Sequence, residues 1–114
     1  MAHYLLQVAY TAESWSALVK TPHDRLEAVR PVVERLGGRL DNAWLAFGHY
    51  DVVAVFEAPD NVTAAAFSMA LSAAGGVKAV KTTPLMTFED GMGAMRKVAH
   101  ARYQPPTDWG MSYG

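Results

Sequence analysis

The chain contains no cysteine. That absence excludes disulfides, thiolate nucleophiles, iron–sulfur ligation and cysteine-bound zinc, and it fits the reducing cytoplasm, the expected location. Excess charge of either sign is missing as well: ten Lys and Arg balance eleven Asp and Glu, for a formal charge of -1. Without a basic footprint, neither nucleic acid nor an anionic membrane is expected as a partner. The apolar opening 4–10 is too short to cross a bilayer, is interrupted by Gln7, and carries neither a basic leader nor a clear cleavage site. It reads as a strand.

Signatures of catalysis and cofactor binding are scarce too. Gly91-x-Gly93 has Arg96 where a dinucleotide loop needs a third glycine, and no strand-turn-helix surrounds it. There is no nucleophile elbow, Walker lysine or Ser-x-x-Lys pair. The histidines His3, His23, His49 and His100 show no i,i+4 pairing and no accompanying carboxylate pattern, so neither a metal nor another cofactor is expected. The aromatic stretch 47–56 lacks the basic residue and spaced surface rings of an RNA-reading strand.

What is present suffices for one domain. A chain of 114 residues buries roughly two-thirds of its unfolded surface. Residues 3–10 form a first, buried strand, and Thr11 caps a short helix over 13–20 with Trp15, Leu18 and Val19 turned inward. Thr21, Pro22 and Asp24 together signal the start of a second helix, along which Leu26, Val29, Val33 and Leu36 recur at helical spacing. Pro31 predicts a kink, and Gly37-Gly38 a left-handed stop. Stretches 39–47 and 50–57 read as a hairpin closed by a tight reversal at Gly48. Alternation places Ala43, Leu45, Phe47, Tyr50, Val52, Ala54 and Phe56 on one face, and Leu40, Asn42, Trp44, Asp51, Val53 and Val55 on the other. Neither face is wholly polar, so both need cover.

Asp60 caps an Ala-rich helix over 61–74 that Gly75-Gly76 ends. A last strand covers 77–88, with Pro84 marking an edge or a bulge, and Thr87 and Asp90 open a terminal helix. The order predicts an α+β, ferredoxin-like βαββαβ antiparallel sheet with an added C-terminal helix. Residues 1–103 form the domain, and 104–114 a Pro- and aromatic-rich tail. Tyr103, Trp109, Met111 and Tyr113 offer apolar surface that suits docking on the chain itself, a neighbouring copy or another protein.

Gly48-His49-Tyr50-Asp51, Thr11, Lys20-Thr21-Pro22 before Arg25, Gly37-Gly38, Pro59-Asp60 and the strand from Val77 to Thr82-Thr83 give the chain a resemblance to the GYD-domain family over residues 3–90. The resemblance implies a dimeric α+β barrel, in which two ferredoxin-like sheets pack face to face. It supplies no catalytic residue. A homo-oligomer, at least a dimer, is expected.

Candidate ligand-binding residues are Gln7, Trp44, His49, Tyr50, Asp51 and Arg25. His49 and Asp51 lie two apart on one strand face, as a general base beside a carboxylate would, or as a solvated turn residue beside a structural acceptor; the structural reading is favoured. Tyr50 suits packing more than proton transfer. Arg25 opposes the dipole in the first turn of its helix, so it needs a carboxylate or an anionic ligand as partner, and Lys20 is near. Two functions remain open: a non-catalytic binding or assembly module, and a cofactor-free small-molecule enzyme with a pocket between sheet and helices.

Overall fold

The computed structural model describes residues 1–106. Trp109, Met111 and Tyr113 of the expected docking tail lie outside the described residues; Tyr103 is exposed. Eight elements follow one another: β1 (Ala2–Tyr10), α1 (Ala12–Lys20), α2 (Leu26–Arg35), β2 (Arg39–Leu45), β3 (Val52–Ala58), α3 (Asn61–Ala74), β4 (Val77–Leu85) and α4 (Phe88–Ala101). The strands form one antiparallel sheet in the order β2-β3-β1-β4, the expected ferredoxin-like arrangement. Pro84 pairs with Tyr4 on the edge strand β4, where a missing amide hydrogen is tolerated.

Alternation along β1 decides where the core sits. Tyr4, Leu6 and Val8 point to one face, where they meet Ala54 and Phe56 of β3, Val33 of α2, and Ala64 and Phe67 of α3. The Tyr4 and Phe56 rings stack at 5.2 Å, and Phe67 meets Phe56 edge-on at 5.0 Å. The Tyr4 hydroxyl escapes burial without a partner by donating to Asn61 Oδ1 at 2.7 Å. Three helix starts follow the side chains that predict them: Thr11 accepts from Ser14 N, Asp60 from Thr63 N and Thr87 from Asp90 N. Hydrogen bonds from the Thr63 backbone and hydroxyl hold the Asp60 carboxyl below its usual range.

Several local expectations give way. Helix α2 begins at Leu26, not at Pro22; Thr21 instead closes α1, its amide donating to Ala17 O as the C-cap. Asp24 Oδ1 then accepts from Leu26 N at 2.8 Å, an Asx-type turn that delays the helix. In α1, Trp15 and Leu18 are half-buried but Val19 is exposed, since the helix is anchored by its first turn, where Ser14 Oγ donates to Gly76 O at 2.7 Å. Strand β4 ends at Leu85, and Phe88 opens α4 instead of closing the strand. A bulge between Leu40 and Asn42 moves Leu40 to the core face, opposite Phe56.

The hairpin reversal is also longer than expected. Strand β2 ends at Leu45, β3 starts at Val52, and Ala46 N donates to Asp51 O at 2.8 Å to close residues 46–51. Gly48 does not have a positive φ, so the tight glycine turn that the sequence suggests is not formed. Its missing Cβ would meet nothing within 4 Å. Gly48→Ala is therefore expected to leave the melting temperature of the chain unchanged or raise it slightly, through a stiffer unfolded state worth up to about 1 kcal/mol. Thermal unfolding followed by circular dichroism checks this, and a clear loss would show a constraint on Gly48.

Candidate functional site

The helices do not fill all the space above the sheet. Between β1, β2 and β3 below and α2 and the end of α3 above lies a cavity of about 170 Å³. Its floor and walls are apolar, with Leu6, Val8, Val52 and Ala54 from the sheet, Leu26 and Val29 from α2, and Leu71 from α3. These positions follow from the periods of their elements: residues two apart on a strand share a face, and Leu26 and Val29 lie one turn apart on α2. Tyr10, Asp24 and Arg25 supply its polar groups.

These groups differ in how far they are already engaged. Asp24 is turned to the α2 amide described above. Asp51 lies behind Tyr10 and accepts from the Tyr10 amide through Oδ2 at 2.8 Å, while its own amide donates to Val8 O at 2.8 Å. Burial pushes the Tyr10 phenol above its ordinary value, against the Arg25 cation, which pulls it down, and Asp51 adds to the rise. Tyr10 thus stays protonated at neutral pH as a donor, its ring held edge-on by Trp15 at 5.5 Å. Arg25 is exposed and forms no ion pair within 4.0 Å among the described residues.

Of the residues expected from sequence, Arg25 and Trp44 border the cavity, but Trp44 pairs with Val53 of β3, so its half-exposed ring lies on the helix-free face of the sheet. Gln7 pairs with Val53 and Lys81 and so lies on the opposite face of the sheet. His49 and Tyr50 lie in the reversal, where their rings meet edge-on at 5.5 Å, and neither borders the cavity. Asp51 is not on a strand face with His49, since both belong to the loop. Tyr10 was not among the residues expected from sequence; its signal is its place two residues beyond Val8 on the core face of β1.

A wider depression of about 450 Å³ between α3 and β4 is lined by Tyr4, Asn61, Ser68 and Thr82. Its polar groups satisfy one another, Tyr4 with Asn61 and Ser68 with Thr82, so none converges on a ligand. On the helix-free face, three strands bring His3, Asp41 and Glu57 together, their ligand atoms within 4.8 Å of one another. No local spacing announces this cluster, because its members come from β1, β2 and β3. Arg39 holds it: Nε donates to Asp41 at 2.9 Å and the guanidinium also bonds Glu57, which is buried. Hydrogen bonding to Asp41, then the Glu57 charge, raises the Arg39 pKa further. The cluster is a closed ion-pair network at the sheet's end.

Two apolar surfaces lack cover among the described residues. Leu5, Val53 and Val55 occupy the helix-free face of the sheet. Helix α4 buries no residue; Phe88, Met92, Met95 and Val98 recur along one side, and Phe88 is 95% exposed.

An antiparallel ferredoxin-like sheet, with α2 and α3 packed on one face over an apolar cavity bordered by Arg25, defines a small α+β domain. The family model of the GYD domain matches residues 4–95, and the chain belongs to the GYD-domain family. Comparison with curated proteins returns no match. Among solved structures, the crystal structure of MtbAldR is similar, with a TM-score of 0.54 and 13% identity over 75% of this chain. The chain spans about half of that protein, 52% of its length, and the likeness shows the shared fold alone. No helix among the described residues is long and apolar enough to cross a membrane.

Proposed function

We propose that this GYD-domain protein is a homo-oligomeric, non-catalytic module that binds a small, largely apolar molecule between its sheet and helices. The observation that carries this reading is the cavity of about 170 Å³ with its apolar walls. A cavity of that size holds one aromatic ring or a short branched chain, since dry cavities of about 150 Å³ take up benzene. Binding is favoured over catalysis because the groups that border the cavity form no nucleophile and base pair. Tyr10 is held protonated by burial, Asp24 is engaged by the Leu26 amide, and the Arg25 guanidinium offers only donors.

Self-association is supported by the uncovered face of the sheet and by the apolar side of α4. Covering apolar area yields about 25 cal/mol per Å², and a standard interface of about 1,600 Å² exceeds the cost of association when its core is apolar. Native mass spectrometry of protein from its source tests both halves. The expected result is a dimer or larger species with a retained small molecule. Met95→Glu combined with Val98→Glu should shift the mass towards the monomer without lowering the helix content. A wild-type monomer at micromolar concentration would overturn the assembly, and a fully occluded, ligand-excluding cavity in solution would overturn the binding reading.

A further inference from the structure

Arg25 is the unusual group at this cavity. It caps α2 without contributing a side-chain cap, opposes the helix dipole, and has no ion-pair partner among the described residues. The two nearby carboxylates do not neutralise it in a pair, because Asp24 faces the Leu26 amide and Asp51 faces the Tyr10 amide. The Tyr10 phenol lies beside it on the same rim, where the Arg25 charge and a hydrogen bond from its guanidinium act against the rise that burial causes. A planar guanidinium beside a phenol suits a carboxylate, which accepts two parallel hydrogen bonds from the fork.

We infer that the ligand is a small aromatic or short branched-chain carboxylate, with its apolar body among Leu6, Val29 and Leu71 and its carboxylate on Arg25 and Tyr10. This assignment rests on the binding function proposed above and adds the sign and position of the ligand's charge. Apolar walls set the body, and the volume limits it to about one ring, by comparison with cavities that admit benzene. The cation at the mouth sets the head. A neutral analogue would leave the carboxylate-sized end of the site filled only by weaker neutral hydrogen bonds.

Isothermal titration of the full chain with benzoate, phenylacetate and 3-phenylpropanoate, each against its carboxamide, tests the assignment. The best carboxylate should bind about tenfold more tightly than its amide, the size of one charge-assisted contact. In Arg25→Gln, a surface change that leaves the core intact, that preference should fall to near unity while the amide keeps its affinity. Tyr10→Phe should weaken the carboxylate by a few-fold. Methyl chemical shifts of Val29 and Leu71 should move on binding in every case. Equal affinity for acid and amide in the native chain overturns the inference, as does a preference that survives in Arg25→Gln or tighter binding of phenethylamine. If no acid, amide or amine perturbs the cavity methyls, the binding function itself fails, an outcome distinct from failure of the charge assignment.

Discussion

Gly38→Ala is expected to destabilise the domain by about 3 kcal/mol, near the upper end for overpacking a tight site. A Cβ at position 38 would come within 2.4 Å of the Glu57 carbonyl oxygen and 3.0 Å of Val33 Cγ2. The first neighbour is backbone in β3, so it cannot swing away as a side-chain tip would. Gly38 does not have a positive φ, and the cost is steric alone. Its neighbour Gly37 differs: with φ at +87° it needs glycine for conformation, while its Cβ would meet only Pro59 at an ordinary 3.7 Å. Gly37→Ala should therefore cost about 1 kcal/mol, the penalty of left-handed backbone. Chemical denaturation of the two variants separates the effects, and equal losses would contradict the division. The melting temperature of Gly38→Ala should fall by roughly 10 °C or more, given about 4 °C or more per kcal/mol for a domain of this size. Relief of the clash would push β3 away from the start of β2, so the Arg39–Glu57 pair should also loosen.

Asp51→Ala is expected to cost about 2 kcal/mol, because the amide of half-buried Tyr10 loses a carboxylate acceptor. Asp51 ties three segments: its side chain holds the end of β1, its amide reaches Val8, and its carbonyl closes the reversal with Ala46. The backbone bonds survive truncation, which keeps the loss below that of unfolding the loop. Asp51→Asn retains an acceptor and should recover a good part of the stability. Binding of the small carboxylates proposed above should persist in Asp51→Ala at temperatures where the variant is folded. An unchanged melting temperature with abolished binding would reverse this assignment and make Asp51 a ligand group.

The antiparallel order, the family and three helix starts were legible in the sequence because they rest on local chemistry. Thr11, Asp60 and Thr87 each bond an amide three residues on, an interaction that needs no distant partner. The core face of β1 follows from alternation alone. The start of α2 was misread for an equally local reason: Thr21 could serve either of two helices, and nothing in the string says that α1 claims it first. Leu40 was placed on the wrong face because a single bulge inverts the alternation on one side of it.

The candidate site was only half legible. Arg25 could be singled out because a cation at a helix start conflicts with the dipole, a conflict visible in one dimension. Tyr10 and the cavity walls could not, since a void is set by how far α2 and α3 stand off the sheet. The same holds for His3, Asp41 and Glu57, which three strands bring together across separations of 38 and 16 residues, from 3 to 41 and from 41 to 57. By itself the sequence determined the order of the elements and the caps at Thr11, Asp60 and Thr87, because these depend on neighbours along the chain. Tertiary structure alone decided the length of the reversal, the cavity, an Arg25 without an ion-pair partner among the described residues and the side of α4 that those residues leave uncovered, because each depends on which distant groups arrive to satisfy a backbone amide or an apolar surface.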